Sequence, residues 1–319
     1  MPTAPILNET EILALLPRIN VASALRRMFA ALHAGEAVQP PQTVTLFPKD
    51  AGDFIAYAGM LAGEAAFGVK LSPYIVRKQG PLITAWTLLM SAETGEPLLL
   101  CDSKRLTTER TAATTALAVD LLTAPDAGTL AIVGTGDIAE AHLRRVLPLR
   151  AWRDIRITSP SIERRPAADF ARFTDLSEGV RLCANLAEAV RDADAVLLCT
   201  SSASPVLDPA MLTKPALITS ISTNAPRAHE VAPQAMTALD VYCDYRRTAP
   251  LSAGEMVIAA ESHGWSADAI LGDLPELVAG AVQPAFGRRH RFFRSIGMGL
   301  EDIAVAAEVL RAHNEETRP

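Results

Sequence analysis

The stretch TLAIVGTGDIAEAH, residues 129–142, decides the fold. A short apolar strand pattern runs into Gly134, Thr135 and Gly136, and a helix pattern follows at once. Gly134 would allow the tight turn from strand to helix, and Gly136 would let the backbone approach a pyrophosphate. Ala139 stands where the third glycine of the usual fingerprint falls, at the close helix–strand contact, and alanine is an accepted variant there. A helix starting near Asp137 and Ile138 offers free N–H groups and the positive end of its dipole to an anion. GxGxxA alone is a weak pattern. Here it follows an apolar strand, opens a helix and begins a βαβ series, which predicts a dinucleotide site.

Downstream, strands and helices alternate as in a doubly wound sheet. DIRITS (154–159) is followed by a helix from about residue 165, then VRLCA (180–184) and the short helix NLAEAVRDA (185–193). DAVLLCT (194–200), ALITSIS (216–222) and DVYCD (240–244) bring the total to about six strands. The central runs are apolar throughout, as expected of strands covered by helices on both faces. The second strand should end near the adenosine ribose, where an NAD site usually carries an acid. This chain has TSPSIERR (158–165), with Ser159 or Pro160 in that place. Ser159 and Ser161 could hydrogen-bond a 2′-phosphate, and Arg164 or Arg165 could neutralise it. Alternatively, both arginines are solvent-exposed on the next helix. The reading leans to NADP over NAD.

Upstream the character differs. Residues 21–33, VASALRRMFAALH, read as a helix with Leu25, Met28, Phe29 and Leu32 on one face. QPPQ (39–42) forbids helix. TVTLF, FIAYAGML, AFGVKLSPYIV, LITAWTLLMSA and PLLLCD then read as strands, with ETGEP (93–97) as a hairpin turn. ERTAATTALAVDLL (109–122) returns to helix, with Thr107 or Thr108 as N-cap. The expected fold class is therefore α/β: a Rossmann doubly wound parallel sheet plus an α+β domain with a mixed or antiparallel sheet. The closing helix, with Leu300, Ile303, Ala304, Ala307 and Leu310 on its apolar face, is surplus to the nucleotide domain and is free to return to the first one.

Two cations in the first part raise a question of function. Lys70 lies inside an apolar strand, where it either snorkels to the surface or waits in a cleft for a carboxylate. Arg110 is expected in the first turn of its helix, where the macrodipole disfavours a cation. With free backbone N–H groups it would make an anion cradle; otherwise it pairs with Glu109 or Asp102.

Composition narrows the class. The chain has 319 residues, 49% of them hydrophobic, enough for two domains with a large core. A net charge of −6 leaves no electrostatic footprint for nucleic acid or an anionic membrane. The four cysteines show no CxxC spacing and the six histidines no HxxxH or HxH pair, so neither a disulfide framework nor a metal site is expected. No apolar run is long enough to span a bilayer, and no leader is visible at the start. The reading is a cytoplasmic protein.

The blocks GVK (68–70), ETGEPLLLCDSKRLTTERTAATTALA (93–118), VGTGDIAEAH (133–142) and FRSIGMGLEDIAVA (293–306), in that order, resemble the ornithine cyclodeaminase/μ-crystallin family. The resemblance covers almost the whole chain. It implies a substrate-binding and dimerisation domain over 1–121, joined by a C-terminal helix at 299–319, and an NAD(P)-binding Rossmann domain over 122–298. The active site would lie in the cleft between them, in a homodimer. Lys70 and Arg110 match the family's substrate-carboxylate residues. Thr84 matches a threonine near the cofactor, Thr111 follows the arginine at the cofactor phosphates, Thr200 comes after the fourth strand, and Ser295 lies near the nicotinamide.

Two positions depart from the family's deaminating members. Gln42 replaces an arginine after the PP pair, and Asn224 replaces the aspartate that serves as acid/base group and contacts the substrate amine. An asparagine cannot exchange a proton near neutral pH. It could still cap the helix beginning near Pro226. The resemblance therefore implies an NAD(P)H-dependent reductase of cyclic imino acids, converting Δ1-pyrroline-2-carboxylate to L-proline and Δ1-piperideine-2-carboxylate to L-pipecolate. Arg110 would clamp the carboxylate, Lys70 would bind it or protonate the imine nitrogen, and Gln42 and Asn224 would supply neutral hydrogen bonds. The alternatives are ornithine cyclodeamination with recycled NAD, and a non-catalytic NADP-bound binding protein like μ-crystallin.

Overall fold

A computed structural model describes residues 4–222 and 227–317 of the chain. Two compact units emerge, Met1–Arg110 with Gly297–Pro319, and Thr111–Ile296.

The first unit is built on a mixed sheet of β1 (Ile6–Leu7), β2 (Ala37–Val38), β3 (Thr43–Leu46), β4 (Gly52–Leu61), β5 (Ala66–Ile75), β6 (Leu82–Ile83), β7 (Trp86–Ser91) and β8 (Pro97–Asp102). Its order is β1-β8-β7-β5-β4-β2, with β3 added to β4 and β6 to β5. Only the β1–β8 pair is parallel. LITAWTLLMSA is two strands rather than one, because the Ala85 carbonyl leaves the ladder to accept the Ser103 N–H at 2.8 Å.

The C-terminal helix Gly299–Thr317 belongs to this unit and lies on β4 and β5. Small residues permit the approach. Gly59 and Gly68 are cross-strand partners, and a Cβ on Gly59 would stand 3.0 Å from the Leu300 nitrogen. A Cβ on Gly299 would stand 2.1 Å from the Ala58 carbonyl oxygen. Helix and sheet therefore meet backbone to backbone, which brings Asp302 and Ile303, the helix's fourth and fifth residues, next to Lys70 and Gly68 in the middle of β5.

The long helix Lys104–Leu122 begins earlier than its composition suggests. The Asp102 carboxylate accepts the Lys104 N–H at 3.0 Å, and the Ser103 carbonyl accepts the Thr107 N–H at 2.8 Å. Neither Thr107 nor Thr108 is the cap, and Arg110 falls in the second turn. The unpaired N–H groups of the helix start are therefore not beside Arg110, and that part of the anion cradle is withdrawn.

The second unit carries an eight-stranded sheet in the order β11-β10-β9-β12-β13-β16-β14-β15. Its strands are β9 (Thr129–Val133), β10 (Asp154–Thr158), β11 (Val180–Cys183), β12 (Ala195–Leu198), β13 (Leu217–Ser220), β14 (Asp240–Cys243), β15 (Ile270–Asp273) and β16 (Arg291–Arg294). Every pairing is parallel. Two strands exceed the expected six. The last, β16, inserts between β13 and β14, and its terminal arginines are buried. Arg294 pairs with the buried Glu255 at 2.8 Å, and Arg291 packs over the Phe286 ring. The helix expected from about 165 is instead a 3₁₀ turn, Ala167–Phe170, and a single α-turn, Ala171–Thr174. Pro166 holds Arg165 extended (φ −127°, ψ 148°) and delays the start.

Candidate active site

Lys70 projects from β5 into the interior of the first unit and is 1% exposed. Its ammonium lies 2.8 Å from Oδ2 and 3.0 Å from Oδ1 of Asp302, 3.4 Å from the Thr107 hydroxyl, and 4.4 Å above the centre of the Tyr57 ring. Arg110, 5% exposed, donates from Nη1 to Glu301 Oε2 at 2.6 Å and from Nε to Asp302 Oδ1 at 3.2 Å. Both carboxylates come from the first turn of the C-terminal helix, and both are buried. Two cations and two anions thus share one buried cluster, with Asp302 common to both cations.

The electrostatics follow from that arrangement. Burial, and then the positive charge of Arg110, pushes Lys70 down from 10.5 to about 8, against the opposing pull of Asp302. Burial also works against the charge of Arg110. Asp302 and Glu301 override it and hold the guanidinium above its ordinary value. Lys70 therefore carries a proton that it can release near neutral pH, next to a guanidinium that cannot lose its own.

Gln42 precedes β3, and its Oε1 is buried without a hydrogen-bond partner. Thr84 lies in the break between β6 and β7. Asn224 falls outside the described residues, together with Pro226 and the helix it was to cap.

In the second unit the glycine loop behaves as its residues suggest. Gly134 has φ 131°, and a Cβ there would stand 2.4 Å from the Cys199 carbonyl oxygen. Gly136 is the N-cap of the helix Asp137–Val146 and has no side-chain cap; a Cβ there would meet nothing within 4 Å. Ala139 is fully buried at the helix–strand contact. Gly134, Gly136, Ile138, Ser159 and Thr200 line one pocket of about 570 Å³ at the carboxyl ends of β9, β10 and β12. That is the point where the strand order reverses, the usual nucleotide crevice of an open α/β sheet. An uncapped helix start facing open space, beside a glycine that leaves room for a phosphate, fits a dinucleotide pyrophosphate.

The remaining cofactor candidates divide. Ser161 joins Ser159 (2.7 Å) and Thr135 (3.1 Å) in a cluster of three hydroxyls where an NAD site would have its acid, and Thr135 meets Ser159 at 3.0 Å. Asp137 is exposed and pairs with Arg172 at 2.7 Å. Arg172 also donates to the Thr135 carbonyl, so it is the arginine at the loop. Arg165 instead pairs with Asp169 on the surface and stacks on Phe170, and Arg164 is exposed. Thr111, in the long helix, and Ser295, after β16, lie outside the pocket lining. The Ser295 hydroxyl donates to the buried Asp244 at 3.0 Å.

Asp302, Glu301, Arg172 and Glu230 were not singled out by sequence reasoning. The available sign for the first two was the pair of adjacent acids inside the otherwise apolar LEDIAVA run. The four cysteines are free and buried, and burial pushes the Cys199 thiol up. Among the described residues no helix is long and apolar enough to cross a membrane, and no group of three ligating side chains could hold a metal ion.

Residues 5–316 match the ornithine cyclodeaminase/mu-crystallin family. The chain belongs to that family. It is 55% identical, over 97% of both chains, to the NAD(P)H-dependent anabolic L-arginine dehydrogenase DauB of Pseudomonas aeruginosa. It is 28% identical to the ketimine reductase mu-crystallin of Rattus norvegicus, over 92% of this chain and 90% of the relative. Its fold matches the Δ1-pyrroline-2-carboxylate reductase of Thermococcus litoralis, solved with NADH and L-proline. The TM-score is 0.87 at 23% identity, over 98% of both chains. The family relatives it resembles are NAD(P)-dependent oxidoreductases of imino or amino acids, and the loop pocket is where this member has the shape to hold that cofactor.

Proposed function

We propose that this NAD(P)-dependent oxidoreductase reduces the C=N bond of an α-imino acid to an amino acid, and that its main product is L-arginine, formed from the 2-oxo acid and ammonia. The observation that carries the reaction class is Lys70 and Arg110 buried together on Asp302. The likeness to the L-arginine dehydrogenase at 55% identity supports the substrate.

The reduced nicotinamide, when bound, supplies a hydride to the imine carbon. The chain's own residues do the rest. Arg110 has two of its three nitrogens held by Glu301 and Asp302, so its guanidinium plane is fixed before the substrate carboxylate arrives. Lys70 holds a proton for the imine nitrogen, and a protonated iminium accepts hydride readily. Gln42 offers an unpartnered oxygen to a substrate N–H. Asn224 would supply a further neutral hydrogen bond, since no strong general base is required. We assign cofactor binding to the loop pocket, with Ser159, Ser161 and Thr135 favouring NADPH, and further contacts to Asp137, Thr84, Thr111 and Ser295. Four buried free thiols suit a reducing cytoplasm, and the exposed Val44, Leu46 and Leu71 of the first unit suit a homodimer.

A second reading keeps the chemistry and changes the substrate to Δ1-pyrroline-2-carboxylate or Δ1-piperideine-2-carboxylate. It is favoured by the same cluster, because a cyclic imino acid presents the same carboxylate beside the same C=N bond. The test mixes the protein with NADPH or NADH and, separately, 5-guanidino-2-oxopentanoate plus ammonium, or each cyclic imino acid. Nicotinamide oxidation with the first supports the arginine reading; oxidation with the cyclic acids alone replaces it by the second. No oxidation with any of them, in protein that binds NADPH, overturns both.

A further inference from the structure

Glu230 is fully buried, and among the described residues no cation pairs with it. A carboxylate in that position is unfavourable unless its oxygens are saturated by donors. They are. Oε1 accepts the Thr200 N–H at 3.0 Å and the Thr200 hydroxyl at 2.7 Å. Oε2 accepts the Ser220 hydroxyl at 2.7 Å and the Ser222 N–H at 2.9 Å. The backbone carbonyl of the same residue accepts the N–H groups of Val206 and Leu207, at 2.7 and 3.1 Å.

The placement of these partners matters. The β12–β13 ladder ends at the Leu198–Ser220 pair, and the Glu230 carboxylate bridges the two chains just beyond it, at Thr200 and Ser222. Ser222 adopts φ 51°, a left-handed conformation uncommon for serine, and its N–H is one of the four held. Thr200, Ser201, Ser202 and Val206 all line the cofactor pocket. Glu230 therefore fastens both ends of the 200–206 segment, one through its side chain and the other through its carbonyl. The Thr200 hydroxyl gives its hydrogen to Glu230 and accepts the Ser202 N–H at 3.1 Å, so its orientation is set by the carboxylate.

We infer that Glu230 is a positioning residue for the dinucleotide: it holds the wall of the pocket formed by residues 200–206 in the shape that receives the cofactor, without touching the cofactor itself. The charged carboxylate is needed for this, because only it can accept four hydrogen bonds from four donors. An amide of the same size offers one oxygen; in either orientation its NH2 faces one hydroxyl, which can turn to accept, and one backbone N–H, of Thr200 or Ser222, which is left in a donor–donor clash.

The test is NADPH and NADH binding to Glu230→Gln, followed by nicotinamide fluorescence, with amide hydrogen exchange across 200–222 as a readout independent of turnover. We expect folded Glu230→Gln to bind both cofactors about tenfold or more weakly, with faster exchange at Thr200, Ser222 and Val206. In turnover, KM for the cofactor should rise more than kcat falls. If that variant does not fold, Ser220→Ala, which removes one of the four donors from outside the pocket lining, replaces it and should weaken cofactor binding severalfold. Unchanged cofactor affinity in either folded variant, even with a lowered melting temperature, would overturn the inference. Because binding is read without substrate, the result is independent of which imino acid the protein reduces.

Discussion

Asp302 meets Lys70 through both carboxylate oxygens, at 2.8 and 3.0 Å, and through one of them also meets Arg110. One side chain thus fixes the distance between the two cations and sets how much each feels the other's charge.

The first consequence is a pH profile. Lys70 is lowered to about 8, so the protonated form falls away as pH rises through that value. The kcat/KM for imine reduction should be flat below about pH 7 and decline above 8. Lys70→Met should lose the activity by about a hundredfold or more and remove that limb from what remains. A profile flat to pH 10 in the unmodified protein would show that Lys70 is not the donor.

Asp302→Asn separates charge from shape. Asp302 raises the Lys70 pKa, so removing its charge should move the descending limb to lower pH. Stability should fall as well, by about 3 kcal/mol, because two buried cations lose a shared counter-charge. Steady-state rates across pH and chemical denaturation measure the two effects separately. A limb that stays near 8 would mean that the charge of Asp302 does not set it.

The two loop glycines should respond differently. Gly134→Ala places a Cβ 2.4 Å from the Cys199 carbonyl oxygen at φ 131°, so the folded state should lose about 2 kcal/mol or more. Gly136→Ala meets nothing within the chain and should melt within a degree or two of the parent. It should still bind NADPH about tenfold or more weakly, since the methyl group occupies the space of the pyrophosphate. Equal cofactor affinity in Gly136→Ala would remove the pyrophosphate from that place.

His142 predicts an acid limit to stability. Its Nδ1–H donates to the Ile138 carbonyl at 2.6 Å, which leaves Nε2 bare to accept from the Thr115 hydroxyl at 3.0 Å. Burial pushes its pKa down from 6.5 to about 4. Between those values the unfolded chain takes up a proton that the folded one refuses. Stability should be complete above about 6.5 and drain away as pH falls toward 4, by roughly 3 kcal/mol from this residue. Denaturation of His142→Gln over the same range should show a flatter dependence.

Much of this was legible in the residues. The parallel sheet was visible because buried strands such as LAIV and VLL are apolar throughout and alternate with helix patterns. β15 and β16 were not, because Gly272 and the flanking arginines of RFFR read as turn and surface; Glu255 and the Ser220 and Ser295 carbonyls satisfy Arg294 inside, and the Phe286 ring covers Arg291. Lys70 and Arg110 stood out as cations in awkward places. Their counter-ions did not, because Asp302 is 232 residues from Lys70 and local pattern carries no information across that separation. The start of the long helix was misplaced for a local reason: a run of threonines hid the capping role of Asp102 and Ser103.

The close seating of Gly299 and Leu300 on β4 has a consequence for synthesis. The first unit is assembled from both sides of the second in sequence, so a chain emerging from the ribosome can complete the parallel sheet while the mixed sheet still lacks its helix. During that interval Lys70 and Arg110 are like charges without the counter-charge of Glu301 and Asp302, and the glycine trough of β4 and β5 is bare. Nascent chains stalled before residue 299 should be the species that chaperones hold and proteases cut.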